Sequence, residues 1–203
     1  MRTLATLLFP GFELLDVCGP LQMFGLLKEE FKLVMVAAEA GPVLSNQRVS
    51  LVADQSMAED LKPNVVLVPG GMGTRQEVSN KAVLDWLNKV DGSAELMTSV
   101  CTGSALLAKA GLLDGRKATT NKAAFHWVTQ QSSKVDWVKQ ARWVEDGRFF
   151  SSSGVSAGMD MSLAVIARLL GQAKAEQVAI WAEYDWHKEA AWDPFSEIHG
   201  LND

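Results

Sequence analysis

The chain has 203 residues, 48% of them hydrophobic and 21% charged, with a formal net charge of −5. That composition belongs to a soluble globular protein with room for one sizeable core, and the acidic balance excludes the basic stripe that a large nucleic-acid footprint needs. Two cysteines cannot make a disulfide framework, and no apolar run approaches the roughly 18–20 residues that cross a bilayer, so a reduced, cytoplasmic protein without membrane contact is expected.

Apolar runs of strand length occupy residues 3–9 (TLATLLF), 32–37 (KLVMVA), 64–69 (NVVLVP) and 95–100 (ELMTSV). Most are continuous rather than alternating, the pattern of strands covered on both faces. Glu13 and Asp16 follow the first run too soon for a signal-peptide core. Between the runs, residues 19–30, with Pro20 near the start, read as a helix. So do residues 80–90, where Ala82, Val83, Trp86, Leu87 and Val90 share one face. A short helix over 104–110 follows the fourth strand and ends at Gly111. Residues 141–154 alternate about Asp146-Gly147, a hairpin signal. An apolar helix then runs to Gly171, and residues 173–184 read as the last helix. This β-α-β rhythm predicts an α/β fold with a mostly parallel sheet and right-handed crossovers. With no repeat, low-complexity stretch or linker, residues 1–203 read as one domain ending in a tail from about 186.

Cys101 falls at the carboxyl end of the fourth strand, where open α/β sheets meet ligands. Ser99, Thr102, Gly103 and Ser104 around it are small, as a tight strand-to-helix turn requires. The pattern is that of a nucleophile elbow, with Cys in place of Ser. A thiol there faces the free N–H groups of the following helix, which favour a thiolate and can receive an oxyanion. Buried packing is the competing reading, since Cys is among the most buried residue types. VPGG at residues 68–71 ends the neighbouring strand in Gly70 and Gly71, whose backbone can approach a ligand and present N–H donors; a plain glycine turn is the alternative. Asp16 lies among Leu14, Leu15 and Val17, surroundings that raise a carboxyl pKa and suit it to general acid–base work. A helix N-cap is the other common use of Asp.

LFPGFELLDVCGP, VPGGMGT, SVCTGSALLAKAGLLDGRKATTN and SSSGVSAGMDMSLAVIA, in this order, resemble the ThiJ/PfpI superfamily over roughly residues 3–185. The likeness is strongest to the isonitrile hydratases and to the sensor domains of AraC-type regulators. It implies a flavodoxin-like three-layer sandwich, usually homodimeric, with the nucleophile on a strained elbow. It matches Cys101 to the nucleophile, Asp16 to the hydratases' catalytic aspartate, Thr102 to the threonine after the cysteine, and Gly71 to the backbone lining the oxyanion pocket. Thr102 stands where the protease-like branch has histidine, which disfavours peptidase activity. Asn121 stands where many members have a histidine, and an amide cannot shuttle a proton at neutral pH.

The resemblance thus implies a cofactor-independent lyase acting on a small molecule, hydrating an isonitrile to a formamide through Cys101 and Asp16. Glyoxalase-like or deglycase-like activity on 2-oxoaldehydes, weakened by Asn121, and an oxidant or ligand sensor using Cys101 are the alternatives. Cys18 is read as buried filler close to the pocket, and His126, His187 and His199 as structural or surface residues. No Cys/His spacing suggests a metal site. The tryptophans near the hairpin and the C-terminus are read as core and dimer packing, and Met159 and Met161 as packing.

Overall fold

Successive side chains of a strand point to opposite faces of its sheet, so a continuous apolar strand needs a cover on each side. The computed structural model describes residues 1–201. Its strands are β1 (Arg2–Leu7), β2 (Phe31–Ala37), β3 (Gly41–Leu44), β4 (Ser50–Ala53), β5 (Gln55–Ser56), β6 (Val65–Val68), β7 (Leu96–Ser99), β8 (Lys117–Ala118), β9 (Asp136–Trp137), β10 (Trp143–Asp146) and β11 (Phe149–Ser152). Its helices are α1 (Leu14–Gly25), α2 (Thr74–Glu77), α3 (Lys81–Asp91), α4 (Gly103–Lys109), α5 (Phe125–Thr129), α6 (Ala157–Leu170), α7 (Gln172–Trp181) and α8 (Pro194–Ile198).

The central sheet runs β10-β11-β7-β6-β1-β2-β5, and every pairing is parallel except β10 with β11. Val66 and Val68 of β6 pack with Val83 and Leu87 of α3 and Leu106 and Leu107 of α4. Their neighbours Val65 and Leu67 pack on the other face with Met23 and Phe24 of α1, Leu163 and Ile166 of α6, and Val178 of α7. The result is the expected α/β sandwich with a mostly parallel central sheet. No helix among the described residues is long and apolar enough to cross a membrane.

Two boundaries differ from expectation in ways that matter for the site. The helix read over 19–30 is α1, which starts at Leu14 and holds Pro20 in its interior. The earlier start buries Asp16 and Val17 and places Pro20, which has no N–H to donate, inside the helix. The strands read as 3–9 and 95–100 stop at Leu7 and Ser99, because the chain then turns into the loops at the carboxyl edge. The 80–90 helix is α3, capped by Asn80, whose side chain accepts from the Ala82 N–H. The hairpin forms as β10 and β11, with Gly147 at φ 63°. The β3–β4 hairpin, α2 and the short β8–β9 pair had no counterpart in the reading. The tail read from 186 carries α8, and its last residues, 202 and 203, lie outside the described residues.

Where α1 crosses α6, two glycines leave no room for a side chain. A Cβ on Gly19 would come within 2.8 Å of Met159 Cγ, and one on Gly158 within 2.9 Å of the Val100 methyls. These glycines set how closely α1 approaches the elbow after β7.

Candidate active site

Cys101 has φ 56°, in the left-handed region that a residue with a Cβ enters only at a cost. Hydrogen bonds on both sides hold it there. Its N–H donates to the Ser153 carbonyl at 3.1 Å. Its own carbonyl accepts from the Thr120 hydroxyl at 2.8 Å and the Ser104 hydroxyl at 3.2 Å. Gly103, which opens α4, has no room for a side chain, since a Cβ would lie 2.1 Å from the Val68 carbonyl oxygen. Val155, just before α6, has φ 44°, a genuine outlier for a β-branched residue. Its N–H and that of Thr102 hydrogen-bond the Cys101 sulfur. Strain over-determined by its surroundings is typical of functional sites.

Asp16 is fully buried on the first turn of α1 and does not cap it. Its Oδ2 accepts from the Gly70 N–H at 2.8 Å, while Oδ1 is buried without a hydrogen-bond partner. Burial pushes the carboxyl up to about 8, against the Gly70 N–H and the Cys101 thiol, whose hydrogen bonds favour the charged form. Burial also pushes the Cys101 thiol up, and the Asp16 charge adds to this against the donors named above. The thiolate-favouring helix N-terminus expected from the sequence is thus outweighed. Near neutral pH the carboxyl is mostly protonated, and the two groups titrate as a pair.

Gly70 and Gly71, read as free donors, are both engaged. The Gly71 N–H donates to Thr102 Oγ1 at 3.0 Å, and the Thr74 hydroxyl lies 3.1 Å from the same oxygen and 2.7 Å from the Gly71 carbonyl. A Cβ on Gly70 would sit 2.5 Å from the Thr102 nitrogen and 2.9 Å from Asp16 Oδ2. Thr102 is therefore a hub tying the glycine turn to the elbow. Thr74, its partner, ends the VPGGMGT stretch but was not singled out in the sequence.

Cys101 keeps only 6% exposure. Beside it lies a cavity of about 190 Å³, lined by Asn121, Lys122 and residues 153–156 and closed by Phe195 and His199. Asn121 Oδ1 accepts from the Ala124 N–H at 3.0 Å, so its amide also shapes the start of α5. Lys122 and Asp193, unnoticed in the sequence, form a buried ion pair at 3.5 Å that pins the C-terminal segment beside this cavity. Cys18 is a half-buried free thiol about 200° around α1 from Asp16, which turns it to another face. His126 is exposed, and His187 stacks on Trp192 at 4.9 Å. Among the described residues no three His, Cys, Asp or Glu side chains converge as a metal site requires.

The sequence model of the DJ-1/PfpI family matches residues 2–168. The isonitrile hydratase of Pseudomonas putida is 33% identical over 88% of this chain and 76% of its own length. The HTH-type transcriptional regulator CdhR of Pseudomonas aeruginosa is 31% identical over 85% of this chain, but the match spans only 52% of that regulator. Among solved structures, a ThiJ/PfpI family protein from Pseudomonas syringae superposes with a TM-score of 0.83 at 32% identity, covering 91% of this chain and 75% of the other.

Proposed function

The chain belongs to the DJ-1/PfpI family, and from that premise we propose that it is a cysteine-dependent lyase that hydrates an isonitrile. The observation that carries the reading is the buried Asp16 carboxyl held against the Cys101 thiol, with Oδ1 free of any hydrogen-bond partner. Likeness to the Pseudomonas putida hydratase supports the choice of substrate class.

In the proposed reaction the Cys101 sulfur forms a bond to the terminal isonitrile carbon, and the thiol proton passes through Asp16 to that same carbon. The product is a covalent thioimidate, R–N=CH–S–Cys. Water then adds across the C=N bond, its oxygen to carbon and one proton relayed by Asp16 to nitrogen; the tetrahedral adduct collapses with C–S cleavage while the hydroxyl proton passes to sulfur, leaving R–NH–CHO and the free thiol. The N–H groups of Thr102 and Val155 stabilise charge on sulfur at both steps. Gly70 and Gly71 act by holding Asp16 and Thr102 in place. No step calls for a cofactor.

We further take the protein to be a cytoplasmic homodimer acting on a small molecule. For the dimer, the supporting feature is the set of apolar side chains left exposed on and around α7 and α8: Ile180, Trp181, Trp192, Phe195 and Ile198.

The test is turnover of cyclohexyl isocyanide and of methylglyoxal by wild type and Cys101→Ala. Formamide production that disappears in the variant supports the proposal. Consumption of methylglyoxal alone points to the glyoxalase-like alternative. Absence of both leaves the sensor reading and refutes the enzyme.

A further inference from the structure

The β3–β4 hairpin stands outside the central sheet, yet it is fastened to the segment that leads into α1. The Gly11 N–H donates to the Leu44 carbonyl and the Asn46 N–H to the Phe12 carbonyl, each at 2.8 Å. The tip of the hairpin is itself held. Ser45 is buried, its N–H donates to the Val49 carbonyl at 2.9 Å, and its hydroxyl accepts from the Val49 N–H at 3.1 Å. One residue of this tip, Gln47, bonds α1 directly.

The first N–H groups of a helix have no partner within it, and Ser, Thr, Asp or Asn at the N-cap usually supplies one. The N-cap of α1 is Glu13, whose side chain makes no capping bond. Gln47 Oε1 takes its place, accepting from the Leu14 N–H at 3.0 Å, while Gln47 Nε2 donates to Glu13 Oε1. The Glu13 N–H donates to the Gly70 carbonyl at 2.8 Å, and the Gly70 N–H donates to Asp16 Oδ2 at 2.8 Å. An unbroken series of hydrogen bonds thus joins the hairpin tip to the carboxyl beside Cys101. The titratable groups acting on that carboxyl are Glu13 and Cys101. Burial is the main cause of its raised pKa, and the Glu13 charge adds to it.

We propose that Gln47 is a positioning residue for Asp16: by capping α1 and gripping Glu13 at once, it fixes the helical turn that carries the Asp16 carboxyl to the Cys101 thiol. Its part in catalysis rests on the role given to Asp16 in the reaction above. A planar amide suits the task because it offers one acceptor and a donor group together. A carboxylate at this position would accept from Leu14 but repel Glu13, and a methyl group would do neither.

Three forms test it: wild type, Gln47→Ala, and the exchange Glu13→Gln with Gln47→Glu. Gln47 is exposed, so Gln47→Ala removes its bonds without touching the core. The exchange keeps both bonds, since the new carboxylate accepts from the Leu14 N–H and from the new amide at position 13. The Asp16 carboxyl is followed across pH by carbon-13 NMR, its signal assigned with Asp16→Asn. Turnover of cyclohexyl isocyanide is measured below every form's melting transition. Gln47→Ala should lower kcat about tenfold to a hundredfold with KM little changed. It should also move the Asp16 midpoint down, as the Glu13 charge swings into water and water reaches the loosened turn. The exchange should recover most of the lost kcat. Wild-type kcat or an unmoved Asp16 midpoint in Gln47→Ala would overturn the proposal and leave Gln47 a cap that matters to melting temperature alone. So would an exchange no more active than Gln47→Ala. If wild type turns over no isonitrile, the hydratase reading fails and the midpoint decides alone: a downward shift in Gln47→Ala upholds the positioning role, and no shift overturns it.

Discussion

Replacing Asp16 by Asn removes an ionisable proton while keeping the side chain's size and its acceptor for the Gly70 N–H. Its two consequences separate on the pH axis. A carboxyl whose folded pKa is raised binds more protons in the native state than unfolded. Its contribution to stability therefore falls as pH rises from the unfolded value near 4 through the folded value of about 8. At about 1.4 kcal/mol per pH unit, that interval bounds the loss at on the order of 5 kcal/mol, and relaxation around the charge brings it to about 3. For a chain of this size, about 3 kcal/mol corresponds to roughly 6–12 °C in Tm. The melting temperature of Asp16→Asn relative to wild type should therefore climb between pH 5 and 9, crossing to net stabilisation at the alkaline end. Turnover of an isonitrile should meanwhile fall about 10²–10⁴-fold, the usual cost of one acid–base group. Differential scanning calorimetry at several pH values, paired with formamide production, reads both. A Tm difference flat in pH would refute the buried protonated carboxyl. Near-wild-type turnover would refute its catalytic role while leaving Cys101 untouched.

Gly70→Ala should reduce turnover sharply and destabilise by about 1–3 kcal/mol in denaturant titration, because its Cβ would strike Thr102 backbone and Asp16 together. Lys122→Met strands the Asp193 carboxylate in the interior and should cost about 3–5 kcal/mol; an unchanged unfolding midpoint would show that the C-terminal segment is not held by this pair. Light scattering at micromolar concentration should give a mass near twice 22.1 kDa, and Trp181→Glu should shift it toward the monomer.

The parts of the site that local pattern announces were legible in the sequence. Cys101 among small residues at a strand's carboxyl end, the glycine pair at 70–71 and Asp16 in an apolar setting all proved to be neighbours. What misled was Pro20. Read as a helix start, it placed Asp16 outside α1, whereas burial of Asp16 and Val17 draws the helix start back to Leu14. The sign of the Cys101 perturbation also went the other way, since a helix of 7 residues offers less than full burial takes away. Thr74 and Val155 lay inside quoted stretches without any local mark of their role, and Lys122 and Asp193 lay outside them. Each gains its role from a partner brought near only by the fold, and a buried ion pair or a strained N–H leaves no periodic trace.

The Cys101 clamp has a consequence for how the site is assembled. The groups that hold this residue or touch its sulfur come from the neighbourhoods of residues 16, 104, 120, 153 and 155, far apart along the chain. Contacts between distant segments close late, after loop entropy has been overcome. Until β11 docks beside β7, the Ser153 carbonyl and the Val155 N–H are missing, and the elbow is held only by Thr120 and Ser104 with the Thr102 N–H on its sulfur. The full clamp is complete only with the last strand. The finished elbow is in effect a mark of completed folding.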